Sequence, residues 1–386
     1  MLLENNPYPR DVRVRAEAEA LARAGYAVEV IAPRARGERR REVVAGVRVR
    51  RFWTIDGSEH GVAGFAGEFL LAALMLHAAA LRALVTGAEI LHLHNPPDIL
   101  FPAAALFRLA GRGVVFDHHD LGPETIEAKL GPGPLVRFAA LCERLTFATA
   151  THVLATNESY AEIALRRGGK RRGEVTVVRN GPPLAWTTVT VSPRSGALAR
   201  VELMYAGTLS TQDGAEGLAP VLAALRALDP PLEPALSVVG GGDAQPRLEA
   251  ELERYGVRDC VTFVGWVDRE RIPELLAAAD VCLEPAPASE VNERSTLMKL
   301  AEYLALGRAV VAYDLLESRR TLGDAALLVT PGDADGFAAA IARVARDPQL
   351  RARLEARARE RAHALTWEHS ERALLDAYAS LRAGAR

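Results

Sequence analysis

Lysine is almost missing from this 386-residue chain: of its 47 basic side chains, only Lys129, Lys170 and Lys299 are not arginine. A residue used so sparingly is singled out where it stands beside other polar groups, as Lys299 does. Cysteine is equally scarce. Cys142, Cys260 and Cys282 stand singly inside apolar patterns, with no spacing for a zinc site or disulfide framework, which fits a reducing compartment. Long hydrophobic runs are missing too. The most apolar segment, residues 69–84, is interrupted by His77 and Arg82, short of the roughly 18 to 20 uninterrupted residues a spanning helix needs. Met1-Leu-Leu-Glu-Asn-Asn-Pro is not a signal peptide. A soluble, cytoplasmic protein is expected. No charge of one sign accumulates either; the formal net charge is −2, and nothing calls for nucleic acid as a partner.

What is present is globular in composition, and 386 residues exceed one ordinary core, so two domains are expected. Short apolar runs alternate with helical patterns, as in parallel strands covered on both faces. A stub at Leu2 and Leu3 precedes a helix over 11–24. Strands follow at 27–31, 47–52, 90–94, 114–117, 152–155 and 175–179, with a long helix over 65–84. At Asn180-Gly181-Pro182-Pro183 the pattern breaks, and 182–199 reads as a linker. Strands resume at 201–206, 236–239, 261–264, 281–284, 309–313 and 326–329, and three helices close the chain. The expected class is α/β, with two doubly wound Rossmann-like domains, 1–181 and 200–366. A terminal helix at about 367–386 would pack back onto the first. The ligand would lie in a central cleft, outside the carboxyl ends of the strands.

The densest group of polar candidates is Arg294-Ser-Thr-Leu-Met-Lys299-Leu-Ala-Glu302, a loop running into a helix. Ser295 or Thr296 would cap that helix and leave backbone N–H groups to meet an anion. Lys299 and Glu302, three apart, share a face. The combination suits a ligand with phosphates at one end and sugar hydroxyls at the other; the alternative is a surface helix carrying an ion pair. A strand ending in Asp117-His-His119-Asp120 should bring one histidine to the site, against the alternative of a histidine satisfied by its own loop. His92 and His94 share a strand face and could ligate a metal. No third ligand is near in sequence, so structural or acceptor-side roles are favoured and no metal is expected. Gly240-Gly-Gly-Asp243 lies where phosphate loops lie but lacks the Gly-x-Gly-x-x-Gly spacing, against a nicotinamide nucleotide. Residues 206–214 form a second polar strand-to-helix loop. The arginines from Arg34 to Arg51, diluted by Glu38 and Glu42, read as a solvated face. Their alternative is docking on an anionic membrane surface, with helix 65–84 partly inserted.

In order and spacing these segments resemble the GT-B fold glycosyltransferases of family 4, a retaining, nucleotide-sugar-dependent group. The resemblance covers nearly the whole chain. It rests on Asn6-Pro-Tyr-Pro-Arg10-Asp-Val-Arg13, Leu91-His-Leu-His94, Asp117-His-His119-Asp120, Val178-Arg-Asn180-Gly181, Val238-Val-Gly240-Gly-Gly-Asp243 and Val261-Thr-Phe-Val-Gly265-Trp266-Val267. Its most specific segment is Lys299-Leu-Ala-Glu302-Tyr-Leu-Ala-Leu-Gly307. The resemblance implies that Glu302 holds the ribose hydroxyls of a UDP- or GDP-linked sugar donor. Backbone amides of Ser295, Thr296 and Leu297 would meet the diphosphate, with Gly207 in the facing loop, and Trp266 would frame the base. His119 would lie near the transferred sugar. Asp120, Arg10, Arg13 and His94 are the acceptor-side candidates, with Arg10 and Arg13 equally readable as ordinary first-turn arginines. No cofactor and no metal is implied, since fixed cations and helix dipoles stabilise the leaving group. The implied acceptor is a glycan or a polyprenyl-diphosphate-linked molecule, in cell-surface polysaccharide synthesis.

Two departures from that pattern matter. Many members carry a glutamate eight residues before the second, where this chain has Arg294, with Glu293 one place off. Many also hold phosphates with Arg and Lys in the loop equivalent to 207–214, where this chain has Gln212 and Asp213. The expectation is that Arg294 and Lys299 replace the lost cations. Two rival functions remain open on sequence. One is a sugar-nucleotide 2-epimerase, needing carboxylates such as Glu124 and Glu127; the other is a non-catalytic sugar-nucleotide binder.

Overall fold

The computed structural model describes residues 1–386 except 5, 55–60, 97, 192–195, 385 and 386. Two compact units result: Met1–Arg179 with Ser370–Arg386, and Asn180–His369.

In the first unit Asp11 caps helix α1 (Val12–Arg23) by accepting from the Val14 amide, the preferred use of a short carboxylate. Strand β1 (Glu29–Pro33) pairs in parallel with β3 (Val47–Phe52), which pairs antiparallel with β2 (Arg41–Val44). The sequence reading missed β2. Ala45 and Gly46 both adopt positive φ and join β2 to β3, the backbone a tight hairpin needs. The arginine run is therefore a hairpin rather than an undivided solvated face. Val47, Val49 and Arg51 point inward while Arg48 stays exposed. Arg51 is neutralised at 2.9 Å by Glu38 and 2.7 Å by Glu42.

A second parallel sheet follows in the order β4 (Ile90–His94), β5 (Gly113–His118), β6 (His152–Ala155), β7 (Val175–Val177). Leu2 bridges Ile31 on one side and Leu93 on the other, so the stub at the N-terminus stitches the two sheets together. Helices α2 (Gly61–Val85), α3 (Phe101–Leu109), α4 (Gly122–Leu130), α5 (Pro134–Thr149) and α6 (Glu158–Arg166) accompany these strands, and α2, α3, α5 and α6 share one core. Leu76, Leu91, Leu93, Phe107, Phe116 and Phe147 fill the core. Burying each contributes about 1.5–3 kcal/mol. Among the described residues no helix is long and apolar enough to cross a membrane.

The second unit holds one six-stranded parallel sheet. Its strands are β8 (Arg200–Ala206), β9 (Glu233–Val239), β10 (Val261–Gly265), β11 (Val281–Glu284), β12 (Ala309–Tyr313) and β13 (Ala326–Val329), in the order β10-β9-β8-β11-β12-β13. The chain runs outward from β8 to β10 and returns to β11, beside β8. The loops leaving β8 and β11 thus diverge at a switch point, where open α/β sheets place ligands. Helices α7 (Leu218–Arg226), α8 (Gln245–Arg254), α9 (Ile272–Ala277), α10 (Glu290–Arg294), α11 (Met298–Ala305) and α12 (Leu316–Leu322) connect the strands. Helices α13 (Ala334–Arg346) and α14 (Pro348–Ala362) follow, and α15 (Trp367–Gly384) belongs for most of its length to the first unit. Residues 182–199 do more than link: Trp186 is buried among Leu300, Leu304 and Leu365.

Candidate active site

In the second unit the turns after β8 and β9 are pressed together. A Cβ on Gly240 would overlap the Gly207 carbonyl, and one on Gly241 would come within 2.9 Å of the Trp266 indole nitrogen. Only glycine permits that approach. Trp266 lies over this glycine turn and is 72% exposed, an aromatic face available to a ligand.

Helix α11 brings up Lys299 and Glu302. The Lys299 ammonium donates to the Tyr205 hydroxyl and the Asp213 carboxylate, both at 3.1 Å, and pairs with Glu284 at 3.0 Å. Burial opposes its charge, but Glu284, Tyr205 and Asp213 outweigh burial and hold its pKa well above the usual value. Lys299, expected to replace a lost phosphate cation, is thus already paired with Asp213 and Glu284. Two of its N–H bonds already have acceptors, and one of these is Asp213 in the loop after β8.

Arg294 ends α10 with its guanidinium 2.5 Å from Glu290. Glu293, one place off the family position, accepts from the Leu316 amide at 2.6 Å and so starts α12. Neither Ser295 nor Thr296 caps α11. Leu297 occupies the cap position without a side-chain bond, and the Ser295 hydroxyl turns back to the Val291 carbonyl at 2.8 Å. The amides that open a helix are a favourable place for an anion.

Glu302 is 7% exposed. Burial raises its pKa and Arg269, 3.1 Å away, pulls it back. Arg269 also stacks over the Trp186 ring, 5.2 Å from its centroid.

In the first unit Asp117 is the hub. It accepts from Arg13 Nε at 2.7 Å and Nη2 at 2.5 Å, and contacts His94 Nδ1 at 2.9 Å and His119 Nδ1 at 3.2 Å. Burial would raise the pKa of Asp117, but Arg13 and the histidines drive it well below the carboxylate range. For His119 burial again opposes charge; Asp117 more than offsets it and the ring's pKa is raised. Asn95 fixes the loop, its side-chain oxygen accepting from the amides of His119 at 2.7 Å and Asp120 at 3.1 Å. His119 is half-buried and Asp120 and Arg10 are exposed.

Arg13 and His94 do not face an acceptor. Arg13 is 5% exposed and also bonds the Val178 carbonyl at 2.7 Å, while His94 is fully buried. His92 stacks on His94 at 4.2 Å and bonds the Tyr378 hydroxyl on α15 at 2.7 Å. Glu17 lies 3.1 Å from Arg13, and burial pushes its pKa up to about 8.

Ligand atoms of Glu17, His92, His94 and Asp117 all lie within 4.8 Å of one another, a donor set of the kind that holds metals. Arg13 already bridges its two carboxylates, so a cation would have to displace a guanidinium. The set suits a shared proton better. Of the two carboxylates named for the epimerase reading, Glu124 is bound to Arg167 at 2.5 Å and Glu127 is exposed.

Sequence reasoning singled out His119, Trp266, Lys299 and Glu302 but missed the hub role of Asp117, and Glu17, Asn95, Glu284 and Arg269. Glu17 sits one helical turn after Arg13, a detectable signal; nothing local marks Arg269.

Residues 11–181 match the family model of the glycosyl transferase 4-like domain, and residues 200–347 that of glycosyl transferases group 1. The chain is a GT-B glycosyltransferase of group 1. The phosphatidyl-myo-inositol mannosyltransferase of Mycolicibacterium smegmatis is 40% identical over 157 residues, 39% of this chain and 38% of that protein. A D-inositol 3-phosphate glycosyltransferase of Stackebrandtia nassauensis is 34% identical over 188 residues, 46% and 41% of the two chains. The matches to these two relatives thus span less than half their length. Sucrose-phosphate synthase from Thermosynechococcus elongatus shares the fold across 99% of both chains, with a TM-score of 0.74 at 21% identity. WaaG, a glycosyltransferase involved in lipopolysaccharide biosynthesis, covers 96% of this chain and 99% of its own, with a TM-score of 0.68 at 16% identity.

Proposed function

We propose that this group 1 glycosyltransferase moves a hexosyl or N-acetylhexosaminyl unit, with retention and without a metal, from a UDP- or GDP-linked donor. The acceptor would be a glycan or polyprenyl-diphosphate-linked molecule in cell-surface polysaccharide synthesis. The observation that carries the reading is the Glu302 carboxylate, buried on α11 in the unit that also sets Trp266 over the glycine turn. A ribose would donate its hydroxyls to Glu302 while the base lies against Trp266. The diphosphate would meet the amides of 295–297 and Gly207, with the α11 dipole stabilising the departing charge. His119, oriented by Asp117, would bond the sugar being transferred, and attack from the side of departure would retain the anomeric configuration.

The relatives named for inositol acceptors support a phosphorylated polyol as a further acceptor to try. A groove of about 470 Å³ in the first unit supports a peripheral contact with an anionic membrane, at its cytoplasmic face. Arg34, Arg40, Arg50 and Arg82 line it with Trp53 and Met75, beside exposed Leu70, Leu74 and Leu81 of α2.

Calorimetric titration with UDP and GDP, followed by a screen of nucleotide sugars against polyprenyl-diphosphate and phosphoinositol acceptors, tests the reading. One nucleotide should bind, and Glu302→Gln should weaken it by on the order of tenfold or more, as expected for a lost charged hydrogen bond. Failure to bind either nucleotide would overturn the proposal. Binding without transfer or donor hydrolysis would leave the non-catalytic binder.

A further inference from the structure

We infer that Arg269 is a positioning residue for donor recognition, holding the Glu302 carboxylate by one edge so that its other edge meets the ribose. The inference rests on the reading of Glu302 given above. Arg269 opens a short 3-10 turn four residues after β10 ends, on the segment that carries Trp266. One stretch of chain would therefore supply both the surface for the base and the clamp beneath the ribose-binding group.

The geometry forms a stack of three groups. The Trp186 indole is buried against α11, the Arg269 guanidinium lies on its face, and the Glu302 carboxylate meets the guanidinium edge at 3.1 Å. Among the described residues Arg269 is the ion-pair partner of Glu302, and no other side chain hydrogen-bonds that carboxylate. A planar guanidinium can lie flat on an aromatic ring and still present N–H bonds at its rim, which an ammonium cannot do.

The pairing also has a chemical consequence. A buried carboxylate tends to protonate, and a protonated Glu302 would be a poorer acceptor for two ribose hydroxyls. Arg269 opposes that tendency. It remains one-third exposed at its side chain, so solvent screens part of its effect.

A latch is the opposite possibility: Arg269 would occupy Glu302 and have to leave before donor binds. The two differ in sign. The test compares UDP and 2′-deoxy-UDP, or the guanine pair if GDP is the nucleotide bound, on wild type, Arg269→Ala, Arg269→Lys and Glu302→Gln. Arg269→Ala should raise the nucleotide Kd by on the order of tenfold and shrink the preference for ribose over deoxyribose. Its affinity should recover as pH rises and Glu302 ionises, at a higher pH than any such recovery in wild type. Donor KM should rise with kcat nearly unchanged, because the ribose does not react. Arg269→Lys should restore charge and pH behaviour in part.

Tighter binding by Arg269→Ala, or an unchanged ribose preference and pH profile, would overturn the inference. Should Glu302→Gln abolish the ribose preference while Arg269→Ala keeps it, only the role of Arg269 fails. Should Glu302→Gln leave the preference intact, the reading of Glu302 itself fails.

Discussion

At the scale of single residues, this chain keeps several charged groups inside by giving each a counter-charge or a proton. Asp117, on β5, stays ionised because Arg13 donates two N–H bonds to it and two histidines add more. Glu17, next to the same guanidinium, is left a weaker share of it. Its pKa rises from 4.5 to about 8, so the folded protein holds a proton there that the unfolded chain has already released. Stability from this group is then present at low pH and declines as pH rises between those two values. Glu17→Gln, permanently neutral, should lack that decline. Urea midpoints of the two proteins should diverge as pH climbs through the window, in favour of the variant; parallel curves would show that Glu17 is ionised throughout.

At the scale of elements, α11 is fastened to the sheet by charge as well as by Leu300 and Leu304. Lys299 draws Glu284 at the end of β11 and Asp213 after β8 into one cluster, possible because the strand order places β8 beside β11. Taking the ammonium away leaves two carboxylates facing each other, one of them 1% exposed. Lys299→Met should cost about 3–5 kcal/mol, the range for breaking a buried pair from one side. Adding Glu284→Gln should recover part of that loss, and denaturant titrations of both singles and the double variant measure the coupling. Strict additivity would show that the three groups do not act together.

At the scale of the whole molecule, a near-neutral chain carries its charge unevenly. The β2–β3 hairpin, Arg34 after β1 and Arg82 in the last turn of α2 gather arginines around Trp53, and α2 also carries exposed leucines. Vesicles containing anionic lipid should sediment with the protein and release it as salt is added, since surface attraction fades over a Debye length of roughly 10 Å at 0.1 M salt. Arg40→Glu with Arg82→Glu should abolish the association without lowering nucleotide affinity. Equal binding to neutral vesicles would remove the electrostatic basis of the idea.

The amino-acid sequence determined the parallel α/β class, the positions of nearly every strand and the family, because apolar runs, glycine turns and a helix carrying Lys299 and Glu302 are local patterns that survive in one dimension. It also pointed to His119, which follows a strand directly. Only the tertiary structure decided what these groups touch. Lys299 proved to be gripped by Asp213, Glu284 and Tyr205, and Arg13 to be a buried counter-ion for Asp117, 104 residues away. Arg269 gained its place at Glu302 from a loop with no distinguishing motif. Side-chain partners of this kind are set by strand order and by which loops diverge at the sheet's switch point. No periodicity along the chain records that, since ion pairing and desolvation act through space.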